Sequence, residues 1–255
     1  MSLKPGILIR VFLPFALGYF LSYLFRSVNA VIAPDLVRDI GVDPASLGLL
    51  TSAYFLAFAA FQLPLGVLLD RFGPRRVEAA LLLVAAAGAF TFARAETLTG
   101  LMLGRALIGL GVSACLMAAF KAFTLWFPAE KLPLANGVQM ISGGIGALAA
   151  STPVEMSLKF TDWRGVFLIL AGLTVTAAIC IFLVVPEKPD SRSGETLREQ
   201  LRGIRQVFTS RIFWSIAPWA VAAQAAYLSI AGLWSGPWLR DIAGYDRMTA
   251  ANTLM

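Results

Sequence analysis

"GVLLDRFGPRR", Gly66–Arg76, places an aspartate, three arginines, two glycines and a proline directly after a long apolar run. Such density of charge and turn residues fits an aqueous connection between two membrane-crossing helices. Gly66 and Asp70 stand about one turn apart on a helix face, so a neighbouring helix can approach closely at Gly66. Asp70 closes its helix and can accept hydrogen bonds from the N-terminus of another, where the dipole favours an anion. Gly73-Pro74 forces a tight reversal. Arg75 and Arg76 hold the loop on the cytoplasmic side.

The composition agrees. Of 255 residues, 58% are hydrophobic and 14% charged, whereas soluble domains carry about 25% charged residues. The charges fall in short strings between long apolar runs, the pattern of a polytopic membrane protein. The net charge of +6 therefore reads as a determinant of membrane orientation, not as a nucleic-acid surface. The chain has no histidine, so imidazole cannot serve as metal ligand, base or proton relay. Cys115 and Cys180 both lie in apolar runs and read as small buried residues, with no metal cluster implied. Lys4 and Arg10 precede an apolar run, but Arg26 interrupts it and further spans come after it, which favours a retained first span over a cleaved signal peptide.

Seven spans are expected: Val11–Ala33, Leu47–Leu69, Val77–Ala93, Leu98–Trp126, Leu134–Met156, Val166–Val185 and Ile212–Leu239. Each approaches the roughly 20 residues needed to cross the hydrocarbon core, and lipid leaves helices as the way to satisfy their backbones. With the N-terminus in the cytoplasm, the inner connections carry about twice the Lys and Arg of the outer ones. Trp126 and Trp214 fall at inner ends and Trp163, Trp234 and Trp238 at outer ends, as aromatic belts do. Residues 1–185 thus form a six-span bundle and 186–210 a cytoplasmic loop. Residues 211–255 hold a seventh span and, at "TAANTLM", a stretch where an eighth can begin. In the loop, Leu197, Leu201, Ile204 and Phe208 recur at helical spacing beside Arg198, Arg202 and Arg205. That reads as an amphipathic helix on the inner membrane surface, or as a solvated linker.

Gly66-x-x-x-Asp70-Arg71-x-Gly73-x-Arg75-Arg76 resembles the signature loop between the second and third spans of the major facilitator superfamily. The resemblance implies a helix-bundle transporter in which this loop latches the two halves in one access state. Arg105-x-x-x-Gly109-x-Gly111 resembles the family's fourth-span motif, linked in some members to proton coupling; the alternative is an arginine snorkelling to the outer surface. "KAFTLWFP" (Lys121–Pro128) with Asn136-Gly137, and "DWRGVFLI" (Asp162–Ile169), resemble the family's span boundaries. The fifth span lacks the Gly-Pro pair of drug–proton antiporters, and its small residues Gly143, Ala147 and Ser151 are explained by helix packing. Because the family has twelve spans in two halves, the resemblance implies an N-terminal half plus about one further span, with the rest of the C-terminal half missing.

The first span carries the strongest substrate signal. Tyr19, Tyr23 and Arg26 fall at i, i+4 and i+7, with Ser22 beside them and Asn29 at the margin. Arg26 stands roughly 10 Å below the outer end, where a guanidinium costs at least about 2.5 kcal/mol on insertion scales. It should face a water-filled cavity and can hold a carboxylate, phosphate or similar oxyanion bidentately, or else brace the bundle. Tyr54 with Gln62, Gln139 with Ser142, and Gln224 with Tyr227 are weaker candidates, equally compatible with packing. Charge within the spans is one-sided: Arg26, Arg105 and Lys121 are cationic. The nearby acids, Glu78 and Glu155, both read as lying close to span ends, so no deep acid is expected.

The expectation is a secondary active transporter of a small solute, an organic or inorganic anion, working by alternating access. Coupling would be to a proton or other ion, with Arg105, Gly109 and Glu155 as candidates, or by exchange. The alternatives are multidrug efflux by proton antiport and a non-transporting membrane scaffold or half-transporter. Neither an enzyme nor a cofactor is expected: no nucleotide loop or nucleophile–base set is present. Membrane lipid is the expected surrounding partner, in a bacterial cytoplasmic (inner) membrane.

Overall fold

The computed structural model describes residues 5–188, 197–230 and 238–245. The chain divides into two compact units, Met1–Gly194 and Glu195–Met255. Among the described residues the regular structure is helical, without strands.

The first unit comprises α1 (Pro5–Ile40), α2 (Pro44–Arg94), α3 (Leu98–Val112), α4 (Cys115–Trp126), α5 (Leu132–Ala149), α6 (Thr152–Ser157) and α7 (Trp163–Val184). The second contains α8 (Leu197–Thr209) and α9 (Arg211–Ser229). Among the described residues, four stretches are long and apolar enough to cross a membrane: Ile9–Ile40, Ala45–Arg94, Leu98–Trp126 and Trp163–Val184.

Local chemistry sets these boundaries. Gly41, at φ 72°, ends α1 by donating its N–H to the Val37 carbonyl, the left-handed cap that glycine accepts without strain. Asp43 then caps α2 by accepting from the Ser46 amide at 2.7 Å, and Pro44 supplies a first-turn residue that needs no donor. Hydrogen bonds from Ser46 hold the Asp43 carboxyl below its ordinary range. Thr97 caps α3 through Gly100, and Asp162 caps α7 through Gly165.

α2 is two spans joined at Gly73. That residue alone leaves helical geometry inside it, at φ 77° and ψ 159°, a conformation open to glycine. The chain folds back there. A Cβ at Gly109 would strike the Tyr54 backbone, and one at Gly111 would strike Ala85. Gly109 and Gly111 are only about 3 Å apart along α3. Tyr54 and Ala85, 31 residues apart in α2, therefore flank the same level of α3. Their arms are the one before Gly73 and the one after it.

The structure interrupts one expected span and shortens another. The fourth breaks between α3 and α4 at Ser113–Ala114 yet keeps its expected extent, Leu98–Trp126, and Gln62 Nε2 donates to the Ser113 carbonyl at the break at 3.3 Å. The fifth ends at Ala149, not Met156, and restarts as the short α6. Pro153 has no N–H to continue the ladder, and Ser151 leaves helical geometry ahead of it. In the second unit, α9 covers the seventh span as far as Ser229; residues 231–237 lie outside the described residues.

Small residues bring the backbones together. Gly104 faces the Phe92 backbone, Gly88 faces Ile108, and Gly146 faces the Phe20 backbone. These contacts lock α3 onto α2, and α5 onto α1. On the outside of α5, Leu134, Ile141, Ile145 and Leu148 form an exposed apolar stripe, suited to lipid or to another apolar helix.

Gly109→Ala should lower stability by about 1–3 kcal/mol through overpacking against Tyr54, measured by unfolding of the purified protein in detergent. Gly48→Ala, where a Cβ meets nothing within 4 Å, should be neutral. Equal effects at the two positions would refute the packing assignment.

Candidate functional site

α1 carries the polar stripe along the inside of the first unit. Tyr19 is buried, its ring edge-on to Tyr23 with centroids 5.0 Å apart, and its hydroxyl meets Met140 Sδ of α5 at 3.7 Å. Gly143 of α5 leaves room for both tyrosine rings. One turn on, the Arg26 guanidinium lies 4.7 Å from the Tyr23 ring centroid, 5.5 Å from Phe58 and 5.7 Å from Phe55. Cation–π attraction holds a guanidinium between rings while leaving its donor edge available. Tyr54 lies within hydrogen-bonding reach of it. Arg26 is partly exposed, its Nε has no hydrogen-bond partner, and no carboxylate among the described residues pairs with it.

Sequence reasoning missed Phe55 and Phe58. Phenylalanines in an apolar span look like packing, and the available signal was their spacing: Tyr54, Phe55 and Phe58 put two rings on one face of α2, a turn apart.

Asn29 and Gln139 are buried. Gln139 Nε2 donates to the Phe15 carbonyl at 3.1 Å, tying α5 to α1, while its Oε1 and Asn29 Oδ1 remain without partners among the described residues. Ser142 Oγ donates to the Gln139 carbonyl. Glu155 is exposed on α6. Gln224 is exposed on α9, in the second unit. Tyr227 also lies on α9, with its side chain outside the described residues.

Arg105 does not snorkel. It is 1% exposed, donates from Nη1 to the Phe25 carbonyl at 2.9 Å, and stacks 4.7 Å from the Tyr54 centroid. It binds α3 to both α1 and α2. Gly109, one turn along α3, lets the Tyr54 backbone come close enough for this contact.

Glu78 also departs from expectation. Proximity to the charged loop suggested a span end, yet Glu78 is fully buried. The helix after the Gly73 break begins earlier than the expected span, and the side chain points into the bundle, against Gly18 of α1.

The charged loop after Gly66 is strapped down within the first unit. Asp70 Oδ1 pairs with Lys121 Nζ of α4. Arg75 Nε donates to the Phe182 carbonyl at 2.7 Å and lies over the Phe182 ring, and Arg75 and Arg76 both reach Glu187. Arg71 lies over Phe72. A cavity of about 200 Å³ opens beside this network, bounded by Arg71, Trp126 and Lys188. No atom of the described residues comes within 4 Å of a Cβ at Gly66, so its small-residue face is unused inside this unit.

Glycine-packed apolar helices joined by a charged hairpin are the build of a polytopic membrane bundle. The Major Facilitator Superfamily model matches residues 15–255, and the chain belongs to that family of integral multi-pass membrane transporters. It is 26% identical over 204 residues to the "probable sulfoacetate transporter SauU" of Cupriavidus necator, covering 80% of this chain and 47% of that protein. It is 25% identical over 217 residues to the hexuronate transporter of Escherichia coli, covering 79% and 50%. It is 26% identical over 227 residues to the nitrate/nitrite transporter NrtP of a Picosynechococcus species, covering 77% and 42%. The chain spans about half the length of the curated relatives it matches. In fold it is similar to a bacterial homolog of the human lysosomal transporter Spinster in an inward-facing, unoccupied conformation. The TM-score is 0.70 at 20% identity, over 99% of this chain and 59% of that one. These relatives are transporters and not enzymes.

A double-mutant cycle with Arg105→Met and Tyr54→Leu should give a coupling energy of about 1–2 kcal/mol in detergent unfolding. Additive losses would rule out an energetic role for the stacking contact.

Proposed function

We propose that this chain is the N-terminal half, with the opening of the C-terminal half, of a secondary active transporter that carries a small organic or inorganic anion by alternating access. The observation that carries this reading is Arg26: a ring-flanked, partly exposed guanidinium in the bundle with no carboxylate among the described residues to neutralise it. Arg105, by contrast, is sealed from solvent and spends a donor on the Phe25 carbonyl. Left with donors to spare, Arg26 offers a bidentate site to a carboxylate, sulfonate or nitrate. Tyr19, Tyr23, Asn29 and Gln139 contribute the surrounding polar surface. The names of the relatives, sulfoacetate, hexuronate and nitrate transporters, support an anion over a cationic drug. Gln224 and Tyr227 are the matching candidates from the second half.

In this reading residues 1–185 form the first bundle, 186–210 the cytoplasmic connection with α8 on the inner membrane surface, and 211–255 the start of the second bundle. The excess of Lys and Arg in the inner connections supports a cytoplasmic N-terminus, and the bacterial relatives favour the cytoplasmic membrane. Gly66, Asp70, Arg71, Gly73, Arg75 and Arg76 act as the conformational latch of the cycle, and the Lys121 and Glu187 contacts hold that loop in shape. The coupling ion is a proton or another small ion, or the cycle is an exchange.

The test is uptake of labelled sulfoacetate, galacturonate and nitrate by the full-length protein in proteoliposomes. Arg26→Ala should reduce uptake of the transported anion by roughly a hundredfold with membrane insertion unchanged, the scale of a lost charged contact in a low-dielectric site. Arg26→Lys should recover only part of it, because an ammonium cannot reproduce the bidentate fork. Full activity in the alanine variant would overturn the assignment.

A further inference from the structure

Glu78 is the one fully buried acid among the described residues, and it belongs neither to the polar stripe around Arg26 nor to the strapped loop. It stands five residues beyond the Gly73 break. Its Oε1 occupies the space a Cβ at Gly18 would fill, so α1 is notched to receive it. Ile181 of α7 closes the same notch, and the buried Cys115 thiol at the head of α4 faces the carboxyl. Neither carboxyl oxygen has a hydrogen-bond partner among the described residues.

The charges that could compensate it are engaged elsewhere. On its own arm Arg75 and Arg76 pair with Glu187, and on α4 Lys121 pairs with Asp70. From the packed elements, α1 presents Gly18, α7 presents Ile181 and α4 presents Cys115, the titratable group in contact. Arg26 stands eight residues beyond Gly18 on α1, about 12 Å along the helix. A carboxylate ion sealed in such a place carries its desolvation cost without compensation, whereas the neutral acid does not.

We propose that Glu78 is the proton-binding carboxyl of this half, taking a proton from one aqueous side and releasing it to the other once per transport cycle. The coupling part rests on the anion reading of Arg26. While Arg26 is empty, its positive field favours ionised Glu78. An anion bound at Arg26 cancels that field and favours the protonated acid, so anion and proton reinforce one another's binding, as linkage requires. No bond other than O–H forms or breaks, and the proton is the whole of the transferred charge.

Two measurements on the purified full-length protein separate the parts of this proposal. First, infrared difference spectra recorded on acidification without any anion should show the carbonyl stretch of a carboxyl taking up a proton, a band that Glu78→Gln removes. Absence of such a band overturns the site, whatever the protein transports. Should Glu78→Gln not insert, Glu78→Asp must displace the band, and an undisplaced band overturns the site equally. Second, with sulfoacetate as probe in proteoliposomes, Glu78→Gln should keep sulfoacetate counterflow yet lose accumulation driven by an acid-outside gradient by roughly tenfold or more. Accumulation at the wild-type level overturns the coupling role. A wild-type protein that moves no sulfoacetate, galacturonate or nitrate overturns the anion reading instead, and the infrared band then decides Glu78 on its own.

Discussion

A guanidinium enclosed in an apolar bundle has to be satisfied by the protein itself, and Arg105 meets that constraint with the Phe25 carbonyl and the face of Tyr54. Three helices are fixed by this one side chain. The carbonyl belongs to the residue just before Arg26, so the α1 turn that bears the candidate anion site is held from behind. Tyr54 belongs to the same arm as Phe55 and Phe58, so the rings that flank Arg26 are set by the same contact. Gly109 makes it possible, since any side chain there would push the Tyr54 backbone away. Of the two arginines, one is consumed in building the site and the other is left for use.

The same division runs through the rest of the bundle. Hydrophobic burial alone distinguishes poorly between helix faces in a membrane, because lipid is as apolar as the core. Register is instead fixed where backbones meet at Gly88, Gly104, Gly111 and Gly146. A few polar side chains that seek distant carbonyls, such as Gln62 and Gln139, complete it. At the charged end the Arg75, Arg76 and Glu187 contacts tie the hairpin to the end of α7. The loop is thus fastened to its own bundle.

Much of this was legible in the sequence. Length and apolarity gave the helical, membrane-type build, the Gly73-Pro74 reversal gave the hairpin in α2, and the i, i+4, i+7 spacing gave the stripe that ends at Arg26. What escaped has a common cause. Residue counting measures depth along a helix but not the direction a side chain faces. Arg105, a few residues from an outer end, could as well have reached the surface. Glu78, a few residues from an inner end, looked solvated; its direction is decided by the notch at Gly18, sixty residues earlier in the chain. The breaks at Ser113 and Ser151 were hidden for another reason. The apolar pattern continues across them, and only Pro153 marks one in advance.

The bundle contains a cation and an acid that ordinary stability would pair, and it keeps them apart. A direct Arg26–Glu78 bridge would neutralise both, leaving no site for an anion and no group for a proton. Arg26 and the Gly18 notch that receives Glu78 lie about 12 Å apart along α1, a separation too long for a direct bridge. Interiors of this kind are costly to maintain, since each group keeps a desolvation penalty that a salt bridge would offset. The cost is consistent with a cycle in which an anion arrives at one group as a proton arrives at the other. The loaded bundle is then closer to neutral at both places than the empty one, and it can cross the apolar barrier more easily.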